Sequence, residues 1–256
     1  MSDGKHLVWL TVAAALLAAV SAGDLLPSPL KRCSVKDEPC ILEQVKIFFR
    51  NFRDGIPDWN VPSIEPIHLG TLRIKIGSGS DSMQFNMIMR NTTLHNFADR
   101  ASVKSLKGFT EDLTKPLNIV WLASSPGIEV HANYEVDGKL LILPIVSKGT
   151  MVISLSQLQS RTRVNAVPEK RPDGHSYLKI TDYKTSAKVS SGSFNMSNLF
   201  NDNVELRDST LKVLNDEWSA LSKDIQPKIL EAADRAYSAA LQKFWDKLPY
   251  DEFFVN

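Results

Sequence analysis

The chain has 256 residues, of which 43% are hydrophobic and 23% charged, and its formal net charge is +1 at pH 7. This length permits one or two domains. Such a small net charge excludes a protein that attracts nucleic acid or an anionic membrane by bulk charge. The sequence contains no Gly/Ser tract, Pro-rich run or block of like charge that would mark a linker.

The first segment predicts a secretory signal peptide over residues 1–22. Lys5 and His6 precede an apolar stretch at 7–20, and Val20-Ser21-Ala22 fits a small-residue cleavage site. A membrane anchor is the alternative, but this apolar stretch is short for a membrane span. We therefore expect one mature domain at 23–256 that is secreted, without stable membrane insertion.

The next segment predicts a disulfide followed by a helix. Cys33 and Cys40 are the two cysteines of the sequence, and in an exported chain they should pair. A helix is predicted at 41–54, and Gly55 lies where a C-terminal glycine belongs. Its apolar residues recur at spacings of three and four, which is more typical of a core face than of a cofactor site: Ile41, Leu42, Val45, Phe48, Phe49 and Phe52.

From residue 64 to about 199 the apolar residues follow a period of two. This alternation indicates half-buried antiparallel strands, with one face inside and one in water. The clearest runs lie at 72–76, 83–90, 117–122, 128–136 and 151–155. Asp137-Gly138 is typical of a two-residue hairpin turn. Further turns are expected at Gly77-Ser78-Gly79-Ser80 and at Pro172-Asp173-Gly174.

The C-terminal region, 206–248, has the longest helical pattern. Pro227 interrupts it, which predicts one helix at about 207–222 and a second at 224–247, with Asp224 as N-cap and Pro227 in the first turn. Pro249 ends the second helix, which would span roughly 36 Å at ~1.5 Å per residue. Helices and strands are therefore segregated, and the predicted class is α+β. Because a sheet of many long strands curls, we expect a highly curved antiparallel sheet around the long C-terminal helix.

Four segments, in this order, are similar to one known family. The first two are Phe52-Arg-Asp-Gly-Ile-Pro57 with Val61-Pro-Ser-Ile-Glu-Pro66, and Tyr134-Glu-Val-Asp-Gly-Lys-Leu-Leu-Ile-Leu-Pro144-Ile145. The others are Asn215-Asp-Glu-Trp218 and Leu248-Pro-Tyr-Asp-Glu-Phe253-Phe254. They resemble the insect takeout and juvenile-hormone-binding proteins. The resemblance implies an internal hydrophobic tunnel that holds a juvenile-hormone-like terpenoid, a fatty acid or a similar lipid. It also implies secretion into haemolymph or another extracellular fluid. The single cysteine pair resembles the takeout branch.

We expect apolar, aromatic and methionine side chains to line the tunnel, because methionine suits an elongated apolar ligand. Tyr134 and Trp218 could also donate a hydrogen bond to a polar end of the ligand. Plain core packing is the alternative for each position. The expected ligand-binding residues are Val45, Phe48, Phe49, Phe52, Met83, Phe85, Met87, Met89, Ile119, Trp121, Tyr134, Val136, Leu143, Ile145, Met151, Ile153, Trp218, Leu221, Ala233, Tyr237 and Leu241.

The sequence shows no pattern typical of an enzyme. His68, His95, His131 and His175 are far apart and form no HxxxH or HExxH motif, and no GxSxG, Walker or GxGxxG motif is present. We therefore expect no catalytic activity, cofactor or metal.

Rival hypotheses are an esterase, a ligand-free secreted signalling or interaction protein with a receptor or another secreted protein as partner, and a membrane-lipid binder similar to the bactericidal/permeability-increasing proteins. Asn91-Thr-Thr93 and Asn195-Met-Ser197 are N-glycosylation acceptor motifs.

Overall fold

The structure is a computed structural model, and it describes residues 25–77, 83–140 and 143–255. The predicted signal peptide and most of the turn predicted at Gly77-Ser78-Gly79-Ser80 lie outside these residues. Among the described helices, none is both long and apolar enough to cross a membrane.

The N-terminal region consists of a short strand, β1 (Cys33–Ser34), and helix α1 (Glu38–Asn51). Asp37 caps the helix, because its Oδ1 accepts a hydrogen bond from the backbone N–H of Cys40 at 3.0 Å. Cys33 and Cys40 form the predicted disulfide, with their Cα atoms 5.8 Å apart. This bond joins β1 to the first turn of α1.

Helix α1 begins and ends three residues earlier than the predicted 41–54. Pro39 can occupy its first turn, since the missing N–H would have no intrahelical partner there. At the other end Phe52 has a non-helical backbone, with φ −119°. Gly55 has φ +90° and lies beyond the helix, where the chain turns into a short 3₁₀ segment, Pro57–Trp59.

In the described residues the central element is a seven-stranded antiparallel sheet. Its strands are β2 (Ile67–Ile76), β3 (Met83–His95), β4 (Ser102–Lys107), β5 (Leu117–Leu140), β6 (Leu143–Lys170), β7 (Ser176–Lys188) and β8 (Ser191–Met196). The main path is β2-β3-β5-β6-β7, while β4 pairs with β5 and β8 pairs with β6. A four-residue helix, α2 (Phe97–Arg100), lies between β3 and β4. The period-two segments predicted from the sequence all fall inside these strands.

In both β5 and β6 the alternation of inward and outward residues shifts by one residue, and the two shifts lie opposite each other in the sheet. Pro126 lies opposite Gln157, between the pairs Ser125–Leu158 and Gly127–Ser156, and Gln157 has φ +51°. In β5, odd-numbered residues are buried or half-buried from Leu117 to Ser125, and even-numbered residues are buried from Ile128 to Val136. The runs predicted at 117–122 and 128–136 are therefore two halves of one strand.

The hairpin turn predicted at Asp137-Gly138 is wrong. Both residues lie within β5, where they pair with Val146 and Ile145 of β6. A Cβ atom at Gly138 would overlap the backbone of Gln84 in β3. The glycine therefore permits a close approach between neighbouring strands. By contrast, the turn predicted at Pro172-Asp173-Gly174 is confirmed, and it connects β6 to β7.

The C-terminal region consists of α3 (Val204–Asp216), α4 (Trp218–Lys247), α5 (Tyr250–Phe253) and β9 (Phe254–Val255), and β9 pairs with β1. The predicted helix break near Pro227 is wrong: the helices separate at Glu217, and Asp224 lies inside α4 as an exposed residue rather than an N-cap.

Packing explains why α4 continues through the proline. Leu221 and Ile225 before Pro227 and Ile229 after it are all buried in one core cluster. Burial of each such side chain stabilises the fold by about 1.5–3 kcal/mol. Pro227 itself is exposed. These contacts outweigh the one backbone hydrogen bond that a proline removes from a helix.

Candidate ligand-binding cavity

A cavity of about 270 Å³ lies between the sheet and helices α1 and α4. Residues of α4 line it from Trp218 to Trp245. Those two positions are roughly 40 Å apart along a helix that rises ~1.5 Å per residue. The cavity is therefore elongated along the axis of α4, and its shape suits a long, narrow molecule.

Three parts of the fold supply most of the cavity lining. Helix α1 contributes Val45, Phe48 and Phe49, whose spacing of three and four residues places them on one side of the helix. Strand β7 forms the second, together with the half of the β5–β6 hairpin that lies away from its turn (117–128 and 155–166). Helix α4 forms the third. Phe253 of α5 lies at the cavity as well.

A second cavity, of about 40 Å³, lies under the half of the β5–β6 hairpin nearer its turn, where Val136, Ile145 and Met151 line it. Its lining comes from the core cluster that holds Leu221 and Ile225, between the sheet, α3 and the start of α4. It is much smaller than the first cavity. We therefore take the larger cavity as the candidate site.

The structure divides the residues expected to bind ligand into three groups. The large cavity is lined by Val45, Phe48, Phe49, Ile119, Trp121, Trp218, Ala233, Tyr237 and Leu241. The small cavity is lined by Phe85, Met87, Val136, Ile145, Met151 and Leu221. Neither cavity is lined by Phe52, Met83, Met89, Tyr134, Leu143 and Ile153.

All members of the third group except Leu143 have packing roles instead. Met89 and Ile153 are fully buried in the core, and Tyr134 donates its hydroxyl to the carbonyl oxygen of Ser197 at 2.7 Å. Leu143 is exposed at the start of β6. Phe52 caps α1 and packs against Phe48, with ring centroids 5.4 Å apart, while Met83 packs half-buried at the start of β3. The methionines that the structure describes therefore lie away from the large cavity.

Strand β7 supplies cavity-lining residues that were not predicted from the sequence. Tyr183, Thr185 and Ala187 point into the cavity and alternate with exposed Lys184 and Ser186. The same alternation is visible in the sequence. An irregularity in the β6–β7 register at residue 181 puts the inward residues Leu178 and Ile180 out of step with the later ones, which hides the pattern.

A polar cluster lies in the middle of the cavity wall. The hydroxyls of Thr162 and Thr185 are 3.0 Å apart, and Asp234 Oδ2 accepts a hydrogen bond from the Thr185 backbone N–H at 3.1 Å. Burial raises the pKa of Asp234 above its ordinary value. Burial also raises the pKa of Tyr183 well above its ordinary value. These residues form a polar stretch in an otherwise apolar lining, and their hydrogen bonds are made within the protein.

Among the described residues, no group of three or more His, Cys, Asp and Glu side chains is placed to hold a metal ion. Two histidines that are distant in sequence do meet: the rings of His95 and His131 stack with centroids 4.2 Å apart. Desolvation, then the charge of His131, lowers the pKa of His95. This pair lies outside the large cavity.

Residues 8–255 match the model of a family described as haemolymph juvenile hormone binding protein (JHBP). The chain belongs to this family. The chain is 53% identical over 248 residues to the circadian clock-controlled protein daywake of Drosophila melanogaster. This alignment covers 97% of this chain and 95% of the relative. The corresponding protein of Drosophila yakuba is 52% identical over the same length.

Among solved structures, Takeout 1 of Epiphyas postvittana superposes with a TM-score of 0.74 at 22% identity. The match covers 88% of this chain and 99% of Takeout 1, so the two share a fold. The family and the α+β class predicted from the sequence are both confirmed. Membership of this family implies a protein that binds a hydrophobic small molecule.

Proposed function

We propose that this protein is a secreted carrier that holds a hydrophobic small molecule in the large cavity along α4. A juvenile-hormone-like terpenoid, a fatty acid or a similar lipid has the right shape for it. The observation that carries the proposal is the long cavity, whose wall is almost entirely apolar. Concave, largely apolar sites with a few polar groups are typical of small-molecule binding.

The expected affinity follows from area and entropy. A ligand that hides ~300 Å² of apolar surface gains about 7 kcal/mol at ~25 cal/mol per Å². Loss of translational and rotational freedom removes several kcal/mol of this. A dissociation constant in the micromolar range is therefore expected, and one good polar contact would make binding tighter.

Secretion and glycosylation belong to the same proposal. The signal peptide at 1–22 would be removed, leaving one domain at 23–256 in the extracellular fluid. The Cys33–Cys40 disulfide is consistent with export, since such bonds persist in oxidising compartments. Asn91 and Asn195 are both exposed, which leaves room for a glycan on each.

The proposal includes no catalytic step. In the described part of the cavity wall, Ser160 donates its hydroxyl to the Ala123 carbonyl oxygen at 3.5 Å, and no histidine lines the wall to serve as its base. A nucleophile needs a base within hydrogen-bond reach.

Two matched variants of the delipidated protein test the proposal. Ala233 lines the cavity, whereas Ala239 is exposed on the same helix. We expect Ala233→Phe to fill the cavity and weaken binding of the fluorescent probe N-phenyl-1-naphthylamine at least ~10-fold. Ala239→Phe should bind like the wild type. Thermal unfolding of both variants controls for misfolding.

Native mass spectrometry of the secreted protein provides a second test, and we expect a co-purified lipid. The proposal fails if no lipid is bound and the wild type binds neither the probe nor a long-chain lipid. It also fails if Ala233→Phe, while folded, binds as tightly as the wild type.

A further inference from the structure

Tyr237 is distinguished from the other polar residues of the cavity by a missing partner. Its hydroxyl oxygen is buried, and it is the one buried side-chain nitrogen or oxygen in the described residues without a hydrogen-bond partner. Its ring lines the cavity and packs against Phe97, with ring centroids 5.8 Å apart. Leaving a buried hydroxyl unpaired costs about 1–3 kcal/mol. A group on a bound molecule could supply the missing bond.

Other polar side chains of the wall are already satisfied by the protein. Gln44 accepts a hydrogen bond from the Lys31 backbone N–H at 2.8 Å. Gln226 donates to the Ala187 carbonyl oxygen, also at 2.8 Å. Thr162 and Thr185 hydrogen-bond to each other, as described above. Tyr237 is therefore the position at which a ligand atom would complete the hydrogen bonding of the cavity.

The electrostatics around Tyr237 disfavour an anion. Asp234 lies one helical turn before it and is the one charged residue among the described residues that line the cavity. Glu65 is also buried, with its carboxylate held by the backbone N–H groups of Asn96 at 2.7 Å and Ala98 at 3.0 Å. Its negative charge acts on the Tyr237 phenol, so that burial and Glu65 together raise the pKa of Tyr237.

A carboxylate ligand would lose its hydration on entering this site and would find no lysine, arginine or histidine among the described residues of the wall. An unpaired ion in an apolar interior is strongly disfavoured. A neutral oxygen needs only one hydrogen bond, and the protonated phenol of Tyr237 can donate it.

We infer that Tyr237 is the polar anchor of the cavity and that the site selects neutral lipids with an acceptor oxygen, such as an ester, ketone, aldehyde or alcohol, over the carboxylate of the same chain length. This inference rests on the proposed carrier function. Tyr237 acts as the specificity-determining donor. Asp234 contributes through its negative charge.

The test compares three ligands with the same chain length: dodecane, methyl dodecanoate and dodecanoate. Each displaces N-phenyl-1-naphthylamine from the delipidated full-length mature protein at pH 7.5. We expect methyl dodecanoate to bind at least ~5-fold more tightly than dodecanoate. Tyr237→Phe should weaken methyl dodecanoate by about 3- to 10-fold, because a net hydrogen bond contributes about 0.5–1.5 kcal/mol. The same variant should leave dodecane unchanged.

Two further variants complete the experiment. Tyr177→Phe is the matched control, because Tyr177 lies on β7 outside the cavity and donates its hydroxyl to Asp173 at 2.9 Å. It should leave all three affinities unchanged. Asp234→Asn should improve dodecanoate binding relative to methyl dodecanoate, since it removes the negative charge. Lowering the pH to 5 should also narrow the difference between acid and ester, because more of the acid is then neutral.

Several results would overturn the inference. Equal affinities for dodecanoate and methyl dodecanoate at pH 7.5 would do so. An equal effect of Tyr237→Phe on dodecane and on the ester would show a packing role instead of a hydrogen bond. If none of the three ligands binds, the carrier function fails and the anchor fails with it. Binding of all three ligands without selectivity overturns the anchor and leaves the carrier function standing.

Discussion

The indole ring of Trp218 lies directly on Gly192, so that a Cβ atom at residue 192 would overlap the ring. Trp218 is the first residue of α4, and Gly192 lies in β8. Phe194 of the same strand contacts the indole as well, with ring centroids 5.5 Å apart. This contact anchors the start of α4 on the sheet, close to the point where α3 and α4 separate.

We expect Gly192→Ala to lower the free energy of unfolding by about 1–3 kcal/mol, because the added methyl group has no room. Urea denaturation measures this loss. In a Trp218→Leu background the same substitution should cost less, since the clashing ring is gone. Equal costs in both backgrounds would show that the overlap is not the cause.

Removing the disulfide should destabilise the protein. Cys33 and Cys40 are separated by seven positions, and closing a loop of that size stabilises the fold by about 2–3 kcal/mol on the chain-entropy model. We expect the double variant Cys33→Ser, Cys40→Ser to lose this amount in urea denaturation. Reducing agent should lower the stability of the wild type to the same level and leave the variant unchanged. A variant as stable as the oxidised wild type would contradict the prediction.

Asp234 should make stability depend on pH in the direction opposite to that of a salt-bridged carboxylate. Burial raises its pKa in the folded state above the ordinary 3.8, so its ionised form destabilises the fold at neutral pH. This penalty is relieved as the pH falls through the raised pKa. We therefore expect Asp234→Asn to have a higher melting temperature than the wild type at pH 7, and the difference to vanish below about pH 4.

The matched control for that experiment is Asp224→Asn, an exposed aspartate on the same helix. Its melting temperature should follow that of the wild type across the pH range. An Asp234→Asn protein that is less stable than the wild type at pH 7 would mean that the carboxylate's bond to Thr185 outweighs its desolvation.

The attachment of the C-terminal segment should weaken as the pH rises. His175 Nδ1 lies 2.8 Å from Asp251 Oδ2, and this hydrogen bond raises the pKa of His175 above 6.5. A raised histidine pKa gives stabilisation that is complete below the unfolded pKa and is lost as the pH rises through the folded pKa. Amide exchange in α5, corrected for intrinsic rates, should therefore be slower at pH 6 than at pH 8.

In a His175→Gln variant that pH difference should disappear. The measurement also bears on the cavity, since Phe253 of α5 lies against it. If α5 exchanges at the same corrected rate at both pH values in the wild type, the His175–Asp251 pair does not control the attachment of the C-terminal segment.

Periodicity alone was enough to predict the α+β class, because apolar residues alternate within the segments 72–76 of β2 and 83–90 of β3, and the apolar side of α4 repeats every three to four residues. Local motifs were less reliable. Asp137-Gly138 has the residue types of a hairpin turn, yet it lies within a strand. A glycine is needed at residue 138 because the backbone of β3 comes too close for a side chain. Pro227 has the residue type of a helix start, yet packing of Leu221 and Ile225 on the sheet keeps the helix continuous.

The candidate site was predicted only in part, for a physical reason. Residue type distinguishes the inside of the sheet from the outside, but it does not distinguish a packed core from a cavity wall. Met89 and Ile153 face inward like Ile119 and Trp121, but the first two meet a filled core and the others an open space.

The face change at Pro126 and Gln157 has a consequence for how the gene tolerates change. From 117 to 125 the odd-numbered positions of β5 face inward and should not accept a charged residue. From 128 to 136 the same holds for the even-numbered positions. A deletion of one codon in β5 alone would put one half of the strand out of phase with β6. Length changes in this hairpin should therefore survive selection only when both strands change together.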